Sequence, residues 1–254
     1  MSKHTIQRAA LITGAGRRIG RAIALELAHA DYAVVLHAYR SRAEAEDLAS
    51  QIGREGGRAA VVLANLTDPE AVRNLMPAAA AFGPLTLLVN NASQFDEDEI
   101  GNLERARFEH TLSANLTAPI FLSQAFAAQA PHSVDCSIVN IVDQRVLKPT
   151  PLFFSYTLSK SALASATVTL AQALAPKLRV NAVAPGPTLP SPRQTIEQFA
   201  LQSAAVPLKH GPTPEEIAAA VLYLAQARSV TGTVVPVDGG QHLAWRTADS
   251  EAAE

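Results

Sequence analysis

Among the 254 residues there is one cysteine, Cys136, so no internal disulfide can form and a reducing compartment suits the chain. Neither charge is in large excess: 21 Lys and Arg against 23 Asp and Glu leave a net of −2, so no basic field exists to recruit nucleic acid. Apolar runs long enough to span a bilayer, about 20 residues, are lacking. The opening "MSKHTIQRAA" has no apolar stretch behind its charges, which predicts a chain without a signal peptide and a cytoplasmic protein. Proline-rich linkers, internal repeats and low-complexity tracts are missing, so a single domain is expected over residues 1–254. His29, His110, His132, His210 and His242 lack metal-ligand spacing, and no metal is expected. The acidic run Asp96–Glu99 is expected to decorate a helix start. Cys136 is expected to be a small buried side chain just before a strand.

What is present is apolar material, 48% of the chain, enough for a full core. Short apolar segments, "AALIT", "YAVVLHA", "AAVVLAN", "LTLLVNNA", "SIVNIVD", "LRVNAVAP" and "TVVPVD", read as strands. Between them lie "RRIGRAIALELAHA", "RAEAEDLASQIGREG", "DPEAVRNLMPAAAAF", "SANLTAPIFLSQAFAAQA", "SALASATVTLAQALAP" and "PEEIAAAVLYLAQA", whose apolar residues recur at three- and four-residue steps, as helices require. This alternation predicts right-handed βαβ units: an α/β domain with a parallel sheet of about seven strands and helices on both faces. The proline-bearing stretch 187–214 is expected to be looser and to line a substrate pocket, and the polar tail 246–254 is expected to be frayed.

Between the first strand and first helix, Gly14, Gly16 and Gly20 form G-x-G-x-x-x-G, one residue longer than the common dinucleotide fingerprint. A glycine turn there lets backbone N–H groups approach a pyrophosphate at the positive end of a helix. Arg17 and Arg18 strengthen that reading, since cations at a helix N-terminus are unfavourable unless an anion joins them. The second strand runs into "LHAYRS" with no acid between Asp31 and Glu44, so nothing is placed to accept from an NAD ribose. Arg40 can pair with a 2′-phosphate, with Ser41 and His37 as nearby donors, and NADP is favoured over NAD.

"YTLSK" puts Tyr156 and Lys160 four residues apart on one helix face, where the ammonium can favour the phenolate. With the Thr13–Gly20 loop, "NNAS" at 90–93, Asn115 in "SANLTAP", "VNAVAPGP" at 180–187 and "VTGTVVPVDGG" at 230–240, this chain resembles the short-chain dehydrogenase/reductase family over nearly its whole length. The resemblance implies a Rossmann fold, doubly wound, binding NADPH or NADP+. It implies Tyr156 as proton donor, Lys160 on the nicotinamide ribose, and Asn115 holding a water that links Lys160 to solvent. Pro185 and Gly186 would border the nicotinamide. Ile19, Tyr39, Leu66, Asn91, Ala92, Ser93 and Thr188 would complete the cofactor site. Asn65 stands where many relatives have an aspartate near the adenine; its amide oxygen can still accept from the exocyclic amine.

Two departures from the family pattern point to a branch. Arg18 replaces the usual second loop glycine, and Asp143 replaces the usual catalytic serine thirteen residues before the tyrosine. In both respects the chain resembles pteridine and dihydromonapterin reductases. A ketone reductase wants a neutral hydroxyl beside Tyr156, because a carboxylate repels a substrate oxygen gaining negative charge. A pterin presents ring N–H and amino groups and takes a proton on nitrogen, so Asp143 can accept from those groups or supply the proton through Tyr156. Phe95 is a candidate stacking platform, Ser93 a second substrate contact, and Arg18 can serve both pyrophosphate and pterin. The expected activity is NADPH-dependent reduction of a dihydropterin. A ketoacyl or other carbonyl reductase and a non-catalytic NADP sensor remain as alternatives. By the same resemblance the chain is expected to form a homotetramer, for which its alanine-rich helices around Asn115–Ala130 and Ser159–Ala175 would allow close packing.

Overall fold

The computed structural model describes residues 8–245; the tail expected to fray, 246–254, lies outside them. Seven strands, β1 (Ala9–Ile12), β2 (Ala33–Ala38), β3 (Ala59–Leu63), β4 (Leu85–Asn90), β5 (Cys136–Ile141), β6 (Leu178–Pro185) and β7 (Val234–Val237), form one sheet. Its order is β3-β2-β1-β4-β5-β6-β7, and every pairing is parallel. β1, β2, β4, β5 and β6 are buried along their whole length. Helices cover both faces of the sheet, so these strands are continuous apolar runs rather than alternating ones.

The helices are α1 (Arg18–His29), α2 (Arg42–Arg54), α3 (Pro69–Ala80), α4 (Arg105–Leu112), α5 (Ala118–Gln129), α6 (Phe154–Leu174), α7 (Ile196–Ala205) and α8 (Pro214–Gln226). Ile23 and Leu27 of α1 and Ile217, Val221 and Leu224 of α8 pack on Ile12, Val89, Val139 and Val183. On the opposite face Leu75 and Met76 of α3, Leu122 and Phe126 of α5 and Ala171 of α6 pack on Leu11, Leu88, Ile138 and Val180. The doubly wound prediction therefore holds.

Two helices depart from the expected pattern. α4 has only Thr111 buried, so it shows no apolar stripe to read. α7 lies within 187–214, a segment expected to be loose, and it begins with a capping box. Thr195 Oγ accepts from Gln198 N at 3.2 Å, and Gln198 Oε1 accepts from Thr195 N at 2.9 Å. α8 opens the same way on Thr213 and Glu216. Cys136 is the first residue of β5 and is buried, and burial pushes its thiol up to about 11.

The strand order reverses between β1 and β4, where crossovers leave in opposite directions. The crevice beyond the carboxyl ends of the strands at such a switch point is where an α/β sheet receives its ligand. A cleft of about 900 Å³ lies there, built from the segments that leave β1, β2, β4, β5 and β6.

Candidate active site

The glycine turn comes first. Gly14 has φ +66, and a Cβ on it would lie 2.9 Å from Ala92 Cα, while a Cβ on Gly20 would lie 2.2 Å from Gly14 O. These two positions need glycine for backbone conformation and helix approach. The "NNAS" segment braces the turn. Asn91 Nδ2 donates to the carbonyls of Thr13 and Gly14, at 2.8 and 3.1 Å, and Thr13 Oγ accepts from the N–H groups of Asn91 and Ala92.

His37 departs from its expected role. Its side chain is buried, with Nδ1 accepting from Gly14 N at 3.1 Å and Nε2 donating to Ala64 O at 3.1 Å. Burial pushes the imidazole down to about 4, so it is neutral and braces the glycine turn instead of donating to a phosphate. Tyr39 and Arg40 are exposed at the cleft mouth, with Arg40 over the Tyr39 ring. Arg17 lies 3.7 Å from Glu44, both exposed. Asn65 needs a second correction: its Oδ1 accepts from Thr67 N and Thr67 Oγ, at 3.1 and 2.9 Å, so its amino group is the end left for a base.

Arg18 stands at the start of α1 with φ +55, a left-handed backbone that only glycine adopts freely. Its guanidinium donates to the carbonyls of Pro190 at 2.8 Å and Leu189 at 3.1 Å. It thereby ties the glycine turn to the segment after β6.

Tyr156 and Lys160 sit in the first turns of α6, buried against β5. Asp98 anchors that helix start: its carboxylate accepts from Ser155 N at 3.0 Å and from Ser155 Oγ. The acidic run thus does decorate a helix start, but one 57 residues away. Tyr156 OH donates to Asp143 Oδ2 at 2.9 Å. Burial first, then the Asp143 charge, push the phenol well above its usual range. This reverses the expectation that Lys160 depresses it. The Lys160 ammonium donates to Ile141 O at 2.7 Å and is lowered to about 8 by burial. Tyr156 is therefore a protonated phenol at neutral pH, with an ammonium close to its own titration point 5.8 Å from its ring centroid.

Asn115, like Gly16 of the glycine turn, does not line the cleft. It lies in a π-turn (Ser113–Thr117) and is fully buried. Its Oδ1 accepts from Gln94 N and Ser93 Oγ, and its Nδ2 donates to Gln94 O and Ser159 Oγ. The side-chain amide of Asn115 is therefore fully engaged within the protein.

Three side chains escaped the sequence reading. Arg145 meets both Asp143 oxygens with Nη1, at 3.4 and 3.3 Å, and its N–H donates to Oδ1 at 2.8 Å. Phe153, at φ +55, stacks on Phe95 with centroids 4.4 Å apart and 7° between planes. Phe95 also meets the Tyr156 ring edge-on at 4.6 Å, so at most one of its faces is left for a flat ligand. Arg193 donates to Phe95 O at 2.8 Å and lies 5.4 Å from that ring's centroid. A signal for two of them was present: Arg145 and Phe153 are two and three residues from Asp143 and Tyr156.

The remaining expected residues, Ile19, Ser41, Leu66, Ala92, Ser93, Pro185, Gly186 and Thr188, all line the same cleft. The cleft can hold an extended, multiply anionic ligand along its arginine-lined half. In the other half it can present a phenol, a carboxylate and aromatic faces to a flat polar ring. Among the described residues no cluster of acids, histidines or cysteines could hold a metal ion, and no helix is long and apolar enough to cross a membrane.

Known proteins are similar to this chain in sequence and fold. A family model described as enoyl-(acyl carrier protein) reductase matches residues 14–242. FolM alternative dihydrofolate reductase 1 from Brucella canis, solved with NADP, superimposes with a TM-score of 0.94 at 46% identity, over 98% of this chain and 100% of that one. Its counterpart from Brucella suis, also solved with NADP, gives 0.92 at 48% identity, over 95% and 97%. An uncharacterized oxidoreductase of Mycobacterium tuberculosis is 36% identical over 241 residues, 92% of this chain and 91% of its own.

Proposed function

Because the chain belongs to the short-chain dehydrogenase/reductase family, we propose that it reduces a dihydropterin with NADPH. The observation that carries this reading is the bond from Tyr156 OH to Asp143 Oδ2 at 2.9 Å. A carbonyl reductase needs donors around an oxygen that becomes negative. A carboxylate beside the phenol opposes that charge but suits a ring that offers N–H and amino groups. The two Brucella structures, described as dihydrofolate reductases, support the same substrate class.

NADPH, when bound, would supply the hydride for the carbon of a C=N bond. The residues of this chain do the rest. His37 takes up the Gly14 and Ala15 N–H groups and so fixes the glycine turn. This would leave the N–H groups that follow, at the start of α1, for the pyrophosphate, and Arg40 would take the 2′-phosphate. Asp143, kept in place by Arg145, accepts from the pterin's N–H groups. Tyr156 gives its proton to the ring nitrogen, and the Lys160 ammonium stands behind it as the source of replacement. The Phe95–Phe153 stack offers an outer face as a platform for the ring. We further propose that the protein works as a homotetramer in the cytoplasm.

NADPH oxidation followed in parallel with dihydrobiopterin, dihydromonapterin, dihydrofolate and a ketoacyl thioester tests the reading. Turnover confined to the pterins is expected. Turnover of the thioester alone would transfer the site to carbonyl chemistry, and turnover of none would leave a nucleotide-binding sensor.

A further inference from the structure

Arg18, Arg145 and Arg193 all line the cleft, yet among the described residues only one of these three meets a carboxylate. Arg145 pairs with Asp143 at 3.3 Å. Arg18 and Arg193 donate to carbonyls instead, Arg18 to Leu189 and Pro190 and Arg193 to Phe95. Glu97, the other acid lining the cleft, forms no ion pair within 4.0 Å among the described residues. Arg18 and Arg193 are both exposed, so water satisfies them in the free protein, and an anionic group on a ligand can displace that water and pair with them.

Arg18 is next to the glycine turn and within the reach of cofactor phosphates. Arg193 is not. It precedes α7, and its guanidinium carbon lies 5.4 and 5.6 Å from the Phe95 and Phe153 centroids, on the substrate side of the catalytic phenol. Among the described residues only one of its five N–H donors meets an acceptor, Phe95 O. Gln194, Phe199 and Gln202 continue the wall beyond it, so the cleft extends past the space a bicyclic ring would fill.

Resting on the dihydropterin reading, we infer that Arg193 is a specificity residue that binds a carboxylate on the substrate's tail. The preferred substrate is then a dihydropterin with an acidic side chain, as in the acyl-glutamate of dihydrofolate. A short uncharged chain, as in dihydrobiopterin, cannot use Arg193. The alternative role for Arg193 is a latch that closes the 191–195 segment over Phe95, which would serve both substrates alike.

The test is kcat/KM with NADPH on dihydrofolate and on dihydrobiopterin for wild type, Arg193→Ala and Arg193→Lys, at low and high salt. Wild type should favour dihydrofolate, and that preference should shrink as salt screens the ion pair. Arg193→Ala should cut the preference about tenfold, through KM, and Arg193→Lys should keep part of it. An equal loss on both substrates, or an unchanged preference, overturns the inference while leaving the dihydropterin reading intact. Wild-type protein that reduces neither substrate overturns both.

Discussion

Tyr156 donates to Asp143 at 2.9 Å while Arg145 holds the same carboxylate from its other side, so phenol and acid act as one unit. Asp143→Ser should lower kcat on a dihydropterin on the order of 10²-fold, the usual worth of a positioned acid–base group. Tyr156→Phe should cost at least as much, and the double variant little more than the worse single. NADPH affinity should stay near wild type in all three. Undiminished pterin turnover by Asp143→Ser would remove the carboxylate from the mechanism, and a gain in ketone reduction would favour carbonyl chemistry.

Arg40 is exposed just past β2, in a stretch of sequence with no acid between Asp31 and Glu44. Arg40→Ala should weaken NADPH by about 1.5–3 kcal/mol, the scale of a charge-assisted hydrogen bond, and barely alter NADH. Titration of both cofactors checks this. Equal losses would mean that Arg40 does not read the 2′-phosphate.

His37 links stability to pH. Its pKa falls from 6.5 to about 4 on folding, so between those values the unfolded chain takes up a proton that the folded chain refuses. Its contribution is complete above pH 6.5 and is lost as pH falls toward 4, by about 1.4 kcal/mol per unit and roughly 3 kcal/mol in all. Urea midpoints at pH 7 and pH 5 should therefore diverge less in His37→Gln than in wild type. Identical pH dependence in the two proteins would mean that this imidazole is not the group responsible.

Phe121 on α5 and Val168 on α6 are 53% and 41% exposed, on the helices that the family resemblance marks for subunit contact. Light scattering at micromolar concentration should give a tetramer, and Phe121→Asp should reduce its mass. A wild-type monomer would defeat the assignment.

The strand–helix alternation and the glycine turn were legible because each is a local pattern with a local cause. Tyr156 and Lys160 were legible for the same reason: four residues on a helix share a face. The misreadings lie where long-range packing decides. His37 sits on β2 next to β1, and that pairing delivers Gly14 N to its ring, which no periodicity reveals. Asp98 caps a helix more than fifty residues downstream. α4 buries too little to leave a stripe. Arg145 and Phe153, from the β5–α6 connection, meet Arg193 only once the segment after β6 folds over the sheet.

Arg18 carries a warning for anyone seeking a hardier enzyme. Its left-handed backbone, φ +55, costs about 1–2 kcal/mol that a glycine would not incur, offset in part by glycine's freer unfolded chain. At about 2–4 °C per kcal/mol, Arg18→Gly should melt slightly later than wild type. It should also bind NADPH more weakly, and the 189–190 carbonyls would lose their donor. Melting curves and cofactor titration on the one variant should move in opposite directions. A screen that ranks mutants by heat tolerance alone would therefore promote the substitution a turnover assay would reject.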